Sequence, residues 1–348
     1  MSCPKGCTRS PAAMPFAFSD PSQRRLDLNP RSPHLNAGWV AREEAIMGTA
    51  IRVELWAEDL RLGERAAAAV MDEMHRIDRC MSPHKPTSEL SRINRDAARQ
   101  SVPLSDEMYR LVEQALAFSR LSGGAFDISY AAVGHLYDYR ARLRPDAATL
   151  QAAREHVGWQ HLHLDPRDRS LRFGRPGMRI DLGGFAKGHA VDRATTLLRR
   201  RGIVHAMVSA GGDSRAIGDR RGRPWSVAIR HPRRAGDVVA VLPLEDTSIS
   251  TSGDYERYFD EDGQRHHHLI DPATGRSPCG VHSVTILAAD GLTSEALSKT
   301  VFVLGAQRGL ALIETLPGID AVVVDASGAL RASSGLMAAT PRPPHARQ

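Results

Sequence analysis

Residues 179–192 read Arg-Ile-Asp-Leu-Gly-Gly-Phe-Ala-Lys-Gly-His-Ala-Val-Asp, a strand passing through a glycine turn into a helix. Amide N–H groups freed at Gly183, Gly184 and Gly188 at a helix N-terminus favour a phosphate, and the helix dipole adds to that preference. Lys187 supplies a point charge beside them. The spacing fits neither the dinucleotide fingerprint nor the Walker A loop. A second glycine turn, Ser209-Ala-Gly-Gly-Asp213, follows an apolar strand. Taken alone it is a tight turn whose Asp bonds local backbone. A third segment, Ile249-Ser-Thr-Ser-Gly-Asp-Tyr-Glu-Arg257, precedes His266-His-His-Leu-Ile-Asp-Pro-Ala-Thr-Gly275. Three successive histidines suggest a metal, but neighbours in a strand point to opposite faces, so at most His266 and His268 could converge.

The elements that must hold these residues follow from periodicity. Alternation from Ile46 predicts a strand over 47–56, and Ala67, Val70, Met71, Met74 and Ile77 fall at helical spacing within 60–81. Ser82-Pro-His-Lys-Pro86 ends that helix, and a second amphipathic helix over 106–122 stops at Gly123-Gly124. The span 140–166 reads as helical and polar, followed by short strands over 170–173 and 178–182. A helix over 190–201 comes next, with strands over 206–209, 225–230, 248–251, 267–270 and 283–287. A helix over 293–304 leads to a helix–strand pair near 307–324. Strands and helices mix without a regular βαβ beat, which predicts an α+β fold with mixed or antiparallel sheets. The expected organisation is a disordered leader over 1–40, one catalytic unit over 41–330 and a flexible tail over 331–348.

Composition removes several function classes. Lys and Arg total 46 against 40 Asp and Glu, a net +6, with a pI near 9.4. The excess is diffuse: the run 199–201 answers the dipole at a helix end, and 220–223 lies in a loop. Aromatic residues are 5% of the chain, too few for a single-strand binder that stacks bases, and no nucleic-acid module is recognisable. Four cysteines do not make a disulfide framework in 348 residues, and Cys3 and Cys7 have no second pair to complete a zinc site. No stretch approaches 18 apolar residues, so no membrane span is expected. Arg24 and Arg25 precede Leu-Asp-Leu-Asn-Pro rather than an apolar run, so the chain as written is expected in the cytoplasm.

Eight stretches in order resemble the ApbE family of FAD:protein FMN transferases. They are Met47-Gly-Thr, the segment from Ser82 to Asn94, Gly123-Gly-Ala-Phe-Asp127, Asp181-Leu-Gly-Gly-Phe-Ala-Lys-Gly188, Gly211-Gly-Asp213, Thr251-Ser-Gly-Asp-Tyr-Glu-Arg257, His268-Leu-Ile-Asp-Pro272 and the segment from Ser294 to Gly305. The resemblance implies an ApbE-like, T-fold-like unit that binds FAD and moves its FMN half onto a Ser or Thr hydroxyl of a target flavoprotein carrying an Asp-x-x-Ser/Thr-Gly-Ala-Ser/Thr segment, releasing AMP. It places flavin contacts at Met47, His84, Ala125, Phe126, Asp127, Gly183, His189 and Ile270, with Gly184 in the same turn. His268 matches the family's proton acceptor. His84 stands where the family usually has Tyr. Family members often carry export signals or a membrane anchor, and the chain could pair as a homodimer.

The resemblance also implies a Mg²⁺ held by a backbone oxygen at Ala186 and by an Asp and a Thr four residues apart on a helix. Here those two positions are Glu295 and Lys299, with Ser298 between them. An ammonium has no lone pair to offer a cation. Three arrangements stay open on the sequence: Lys299 sets its own charge on the pyrophosphate; Glu295, Ser298 and Thr300 hold the ion differently; or Glu295 and Lys299 form an ordinary i,i+4 pair and metal binding is lost. The alternative functions that follow are a non-catalytic FAD carrier or sensor, and an FAD pyrophosphatase with water as acceptor.

Overall fold

The computed structural model describes residues 36–339; Cys3, Cys7, Arg24 and Arg25 lie outside them. Residues from Ala37 onward form one compact unit. It opens with β1 (Gly38–Ile46) and β2 (Thr49–Ala57), an antiparallel hairpin closed by Met47 and Gly48. Both turn residues have positive φ, 54° and 70°, the geometry of a two-residue hairpin turn matched to strand twist. Met47 therefore sits in a turn rather than a strand, and the expected leader over 1–40 gives way to a strand at Gly38. Helix α1 (Leu60–Met81) starts where Asp59 accepts from the Arg61 amide, and its apolar stripe is buried as the spacing predicts.

Next come α2 (Glu89–Asp96), β3 (Val102–Pro103) and α3 (Asp106–Leu121), then the one-turn α4 (Ala131–Gly134) and α5 (Ala147–Arg154). The span 140–166 is thus mostly not helical: it ends in a 3-10 turn and in β4 (Leu162–Asp165), which pairs with β5 (Ser170–Phe173). No strand forms over 178–182. There the Asn94 amide group brackets Ile180, donating to its carbonyl at 2.9 Å and accepting from its N–H at 2.8 Å. The next amide, Asp181 N–H, donates to Ile128 O. One side chain replaces a neighbouring strand.

Helix α6 (Ala186–Arg200) begins four residues before the expected start. It is followed by β6 (Ala206–Ala210), β7 (Asp213–Ile217), the ribbon β8 (Trp225–Arg230) with β9 (Val238–Leu244), and β10 (Ser248–Gly253). A small hairpin of β11 (Tyr258–Glu261) and β12 (Gln264–His267) precedes β13 (Val281–Ala288). The strand expected over 267–270 ends instead at His267, which frees His268 to face the cleft. Helix α7 (Gly291–Ile313) is interrupted at Gly305, φ 79°, the same break that separates the two expected helices. Strands β14 (Asp320–Asp325) and β15 (Leu330–Ala332) and helix α8 (Ser334–Ala339) close the described chain, so ordered structure continues into the expected tail.

Eight strands form one sheet in the order β1-β2-β6-β7-β10-β13-β14-β15, with every pairing antiparallel. Helices α1, α6 and α7 pack side by side against it. Val208 belongs to the core under those helices, while its neighbour Met207 packs with Trp39, Trp225 and Leu244. Adjacent strand residues face opposite ways, so the β8–β9 ribbon covers the other face. The α+β architecture is the one expected. By length and composition α7 is apolar enough to cross a membrane, but it lies against β10, β13, β14 and α6 with Leu297, Val301 and Phe302 in the core.

Candidate active site

A cleft of about 400 Å³ opens where the β1–β2 turn, the loop 125–130, the turn before α6, the start of β7, the end of β10 and residues 268–272 converge. Met47, Ala125, Phe126, Asp127, Gly183, Gly184, Lys187, His268, Ile270 and Lys299 all line it. The structure therefore gathers most of the expected positions onto one surface, although they span the whole sequence.

The floor is a cluster of four charges. Lys187 Nζ donates to Asp213 Oδ2 at 2.6 Å and to Glu295 Oε1. Lys299 Nζ donates to the same Glu295 oxygen at 3.1 Å. Burial alone would push the Lys187 ammonium down, but Asp213 and Glu295 outweigh it and hold the pKa above the ordinary lysine value. Burial likewise works to raise Asp213, yet Lys187 and Lys299 keep it below the usual carboxylate range. Asp213 opens β7, is almost fully buried, and accepts from Ser250 Oγ at 2.5 Å. It anchors Lys187 rather than local backbone, the role its turn position suggested.

The glycine turn differs from its expected use. Gly183 N–H donates to Asp181 Oδ1 at 2.6 Å, and Gly188 N–H to Glu295 Oε2 at 2.6 Å. Protein carboxylates thus occupy two amides assigned to a phosphate, leaving Gly184 as the glycine whose amide has no protein acceptor among the described residues. Glu295 accordingly caps the first turn of α6, where the dipole favours an anion. The favour is returned across the helix crossing: Asp192 of α6 accepts from Gly291 and Leu292 amides at the start of α7, at 2.7 and 3.0 Å. At that crossing a Cβ on Gly188 would overlap the Gly291 carbonyl, so Gly188 is needed for close helix contact.

His268 is held by its own amide, which donates to Arg257 O at 3.0 Å. Its Nδ1 is buried with no partner. Burial first, then the Lys299 ammonium, pushes its pKa down to about 3, so the imidazole is neutral. His266 packs its ring on Phe259 at 5.1 Å, and His267 engages Pro278 O at 3.0 Å. The histidine run does not converge on one point.

Other expected contacts sit elsewhere. His189 Nε2 bonds Glu107 Oε1 at 2.8 Å in a network with Arg76, Glu73 and Arg193, and it does not line the cleft; on α6 it lies two positions beyond Lys187, off the face that lysine presents. His84 is exposed and stands outside the lining. The Asp127 carboxylate is spent on Ser129 N and Oγ and on Trp159 N, so it shapes the loop that carries Phe126. Tyr130, whose hydroxyl meets Asp181 Oδ1 at 3.4 Å, and Thr251, bonded to Thr285, also line the cleft. Their spacing gave no sign of this, because each arrives from a different element.

The donors present do not fit the expected divalent ion. Glu295 spends Oε1 on two ammonium groups and Oε2 on Gly188 N–H. Ser298 Oγ donates to Glu295 O and meets Ser250 and Ser252 at 3.1 and 2.8 Å. Ala186 is buried at the start of α6, and Lys299 offers a charge of the wrong sign. Among the described residues no three His, Cys, Asp or Glu side chains are grouped for a metal.

Residues 47–323 match the model of the ApbE family. The chain is 32% identical to the FAD:protein FMN transferase of Treponema pallidum, over 85% of this chain and 87% of that protein. It is 30% identical to the FAD:protein FMN transferase of Klebsiella pneumoniae, over 80% and 87%. Among solved structures, the ApbE protein of Thermotoga maritima superposes with a TM-score of 0.81 at 32% identity, covering 86% of this chain and 99% of that one. The flavin transferase ApbE of Vibrio cholerae gives 0.76 at 29%, covering 87% and 99%.

Proposed function

The chain belongs to the ApbE family, and from its cleft we propose how it works as an FAD:protein FMN transferase acting on a target flavoprotein. FAD lies with its flavin between Met47 and the Ala125–Phe126 loop and its diphosphate over Lys187, Lys299 and the Gly184 amide. A Ser or Thr hydroxyl of an Asp-x-x-Ser/Thr-Gly-Ala-Ser/Thr segment attacks the FMN phosphorus. A new P–O bond forms as the bond to the bridging oxygen breaks, and the electron pair leaves on the phosphate of AMP. The hydroxyl proton passes to His268. In phosphoryl transfer, positioning and charge stabilisation do most of the catalysis, and an arriving diphosphate offsets the Lys299 charge, which after burial is the second cause of the imidazole's low basicity.

The observation that carries this reading is the juxtaposition in one cleft of two ammonium groups with His268, whose imidazole Nδ1 has no partner. Incubation with FAD and a protein bearing the target segment tests it. Flavin fluorescence retained on the denatured target band, with one AMP released per flavin attached, is expected. AMP release that proceeds equally without the target protein would instead mark a pyrophosphatase.

A further inference from the structure

We infer that this enzyme binds and turns over FAD without a divalent cation, the Lys299 ammonium acting with Lys187 as the electrophilic grip on the diphosphate. The inference rests on the transferase reading above and specifies how its site handles charge.

The geometry carries it in three steps. First, both ammonium groups line the cleft, whereas Glu295 is fully buried and is not part of the lining. Asp213 lines the cleft too, but its Oδ2 is held by Lys187, and an ion arriving from the cleft would meet the two lysines before Glu295. Second, the cluster is neutral as it stands, with two carboxylates and two ammonium groups. Both carboxylates are already paired with an ammonium, so a divalent ion would have to displace a lysine from Glu295 or Asp213, whereas a dianion can pair with the lysines from the cleft side without displacing anything. Third, donors remain. Each ammonium carries three N–H groups; Lys187 spends two on Asp213 and Glu295, and Lys299 spends one on Glu295. The rest belong to two side chains that line the cleft, as Gly184 does, and suit phosphate oxygens through charge-assisted bonds.

The position of Glu295 also has a cause independent of any metal. Its second oxygen holds the Gly188 amide at 2.6 Å, so the carboxylate fixes the α6 N-terminus and presents one shared oxygen to both lysines. In the reaction the leaving phosphate of AMP takes the electron pair of the broken P–O bond. Lys299 and Lys187 stabilise that charge, as a metal would in a site built from neutral and anionic ligands.

The test uses the full chain, stripped of metal with EDTA and dialysed. FAD affinity by calorimetry and target flavinylation are each measured with EDTA and with Mg²⁺, and Mn²⁺ binding is read by electron paramagnetic resonance. The expected result is FAD affinity and flavinylation that change less than about twofold with Mg²⁺, and an undiminished free-Mn²⁺ signal. Lys299→Met should weaken FAD binding by about tenfold or more, with no rescue by Mg²⁺, while Lys299→Arg retains binding and reports that the fold tolerates change there. The double variant Glu295→Asp with Lys299→Thr should bind Mn²⁺ and acquire a Mg²⁺ requirement. An EDTA-treated enzyme that loses binding or transfer about tenfold or more and regains it with Mg²⁺ overturns the inference and leaves the transferase reading standing. No FAD uptake under either condition overturns both.

Discussion

Helix α6 carries two ionic clusters, and they are built for different ends. On the cleft side, Lys187 meets Asp213 and Glu295, with Lys299 completing the group. On the other side, His189 and Arg193 meet Glu107 and Glu73, tied by Arg76 to α1 and α3. The inner carboxylates are buried, at 3% and 0% side-chain exposure, and the cations in front of them line the cleft. The outer carboxylates keep 13% and 24% exposure and have every cation directed at them. Similar chemistry thus leaves lysines lining a cleft on one side of α6 and ties α1, α3 and α6 together on the other. Breaking the inner cluster or its neighbours should cost function; breaking the outer one should cost stability.

The largest effect is expected at His268. Replacement by Ala removes the proposed proton acceptor and should lower the flavinylation rate about 10²–10⁴-fold, while FAD affinity changes little. Rapid-quench AMP release and calorimetry separate the two. A rate loss below about fivefold would mean that His268 is not the base.

Gly188→Ala probes the scaffold between the clusters. Its methyl would press on the Gly291 carbonyl, a backbone-to-backbone overlap that α6 and α7 can relieve only by moving apart. Overpacking of this kind costs about 1–3 kcal/mol, and chemical denaturation measures it. An unchanged midpoint would show that the helices are not held at this separation.

Glu107→Gln tests the outer clamp. Burial works to raise the Glu107 pKa, but hydrogen bonds from His189 and Arg76 outweigh it and pull it from 4.5 to about 2. In the unfolded chain the carboxylate takes its proton near 4.5, whereas in the fold it stays ionised to about 2. Its contribution to stability is therefore complete above about pH 4.5 and is lost as pH falls from there toward 2. At neutral pH the variant should lose on the order of 1–2 kcal/mol. Its stability should also fall less steeply on acidification below about pH 4.5 than the parent's. Parallel acid limbs would remove Glu107 from the clamp.

What could be read from the sequence was local. The stop at Gly123-Gly124 and the break at Gly305 are written in glycines with positive φ, whose backbone preferences act where they stand. Pairings across the chain were hidden. Glu295 caps Gly188 and Asp192 caps Gly291 over separations of 107 and 99 residues, and Asn94 stands in for a strand beside Ile180 at 86. No spacing rule reaches so far. Strand β1 escaped for another reason: as an edge strand it exposes Ala41, Arg42 and Glu43 in succession, which masks the alternation a half-buried strand would show. Many residues of the eight stretches line the cleft, but a shared stretch says nothing of which way each side chain turns, and His189 turns to Glu107.

That histidine offers the finest discrimination and the smallest expected change. Were its imidazole packed on the flavin, His189→Ala would weaken FAD binding. The structure gives its Nε2 to Glu107 at 2.8 Å and leaves it outside the cleft lining. Removing it frees one of several partners of Glu107, whose carboxylate retains both Arg76 bonds at 2.7 and 2.8 Å. The loss of stability should accordingly be no more than about 1 kcal/mol, and FAD affinity should stay within about twofold of the parent. The pairing with Glu107→Gln makes the comparison strict. If both residues act only through their shared hydrogen bond, the double variant should be less destabilised than the sum of the singles, while calorimetry of FAD stays flat across all three. A drop in FAD affinity confined to the variants lacking His189 would put the imidazole back on the flavin and make α6 a two-faced binding helix.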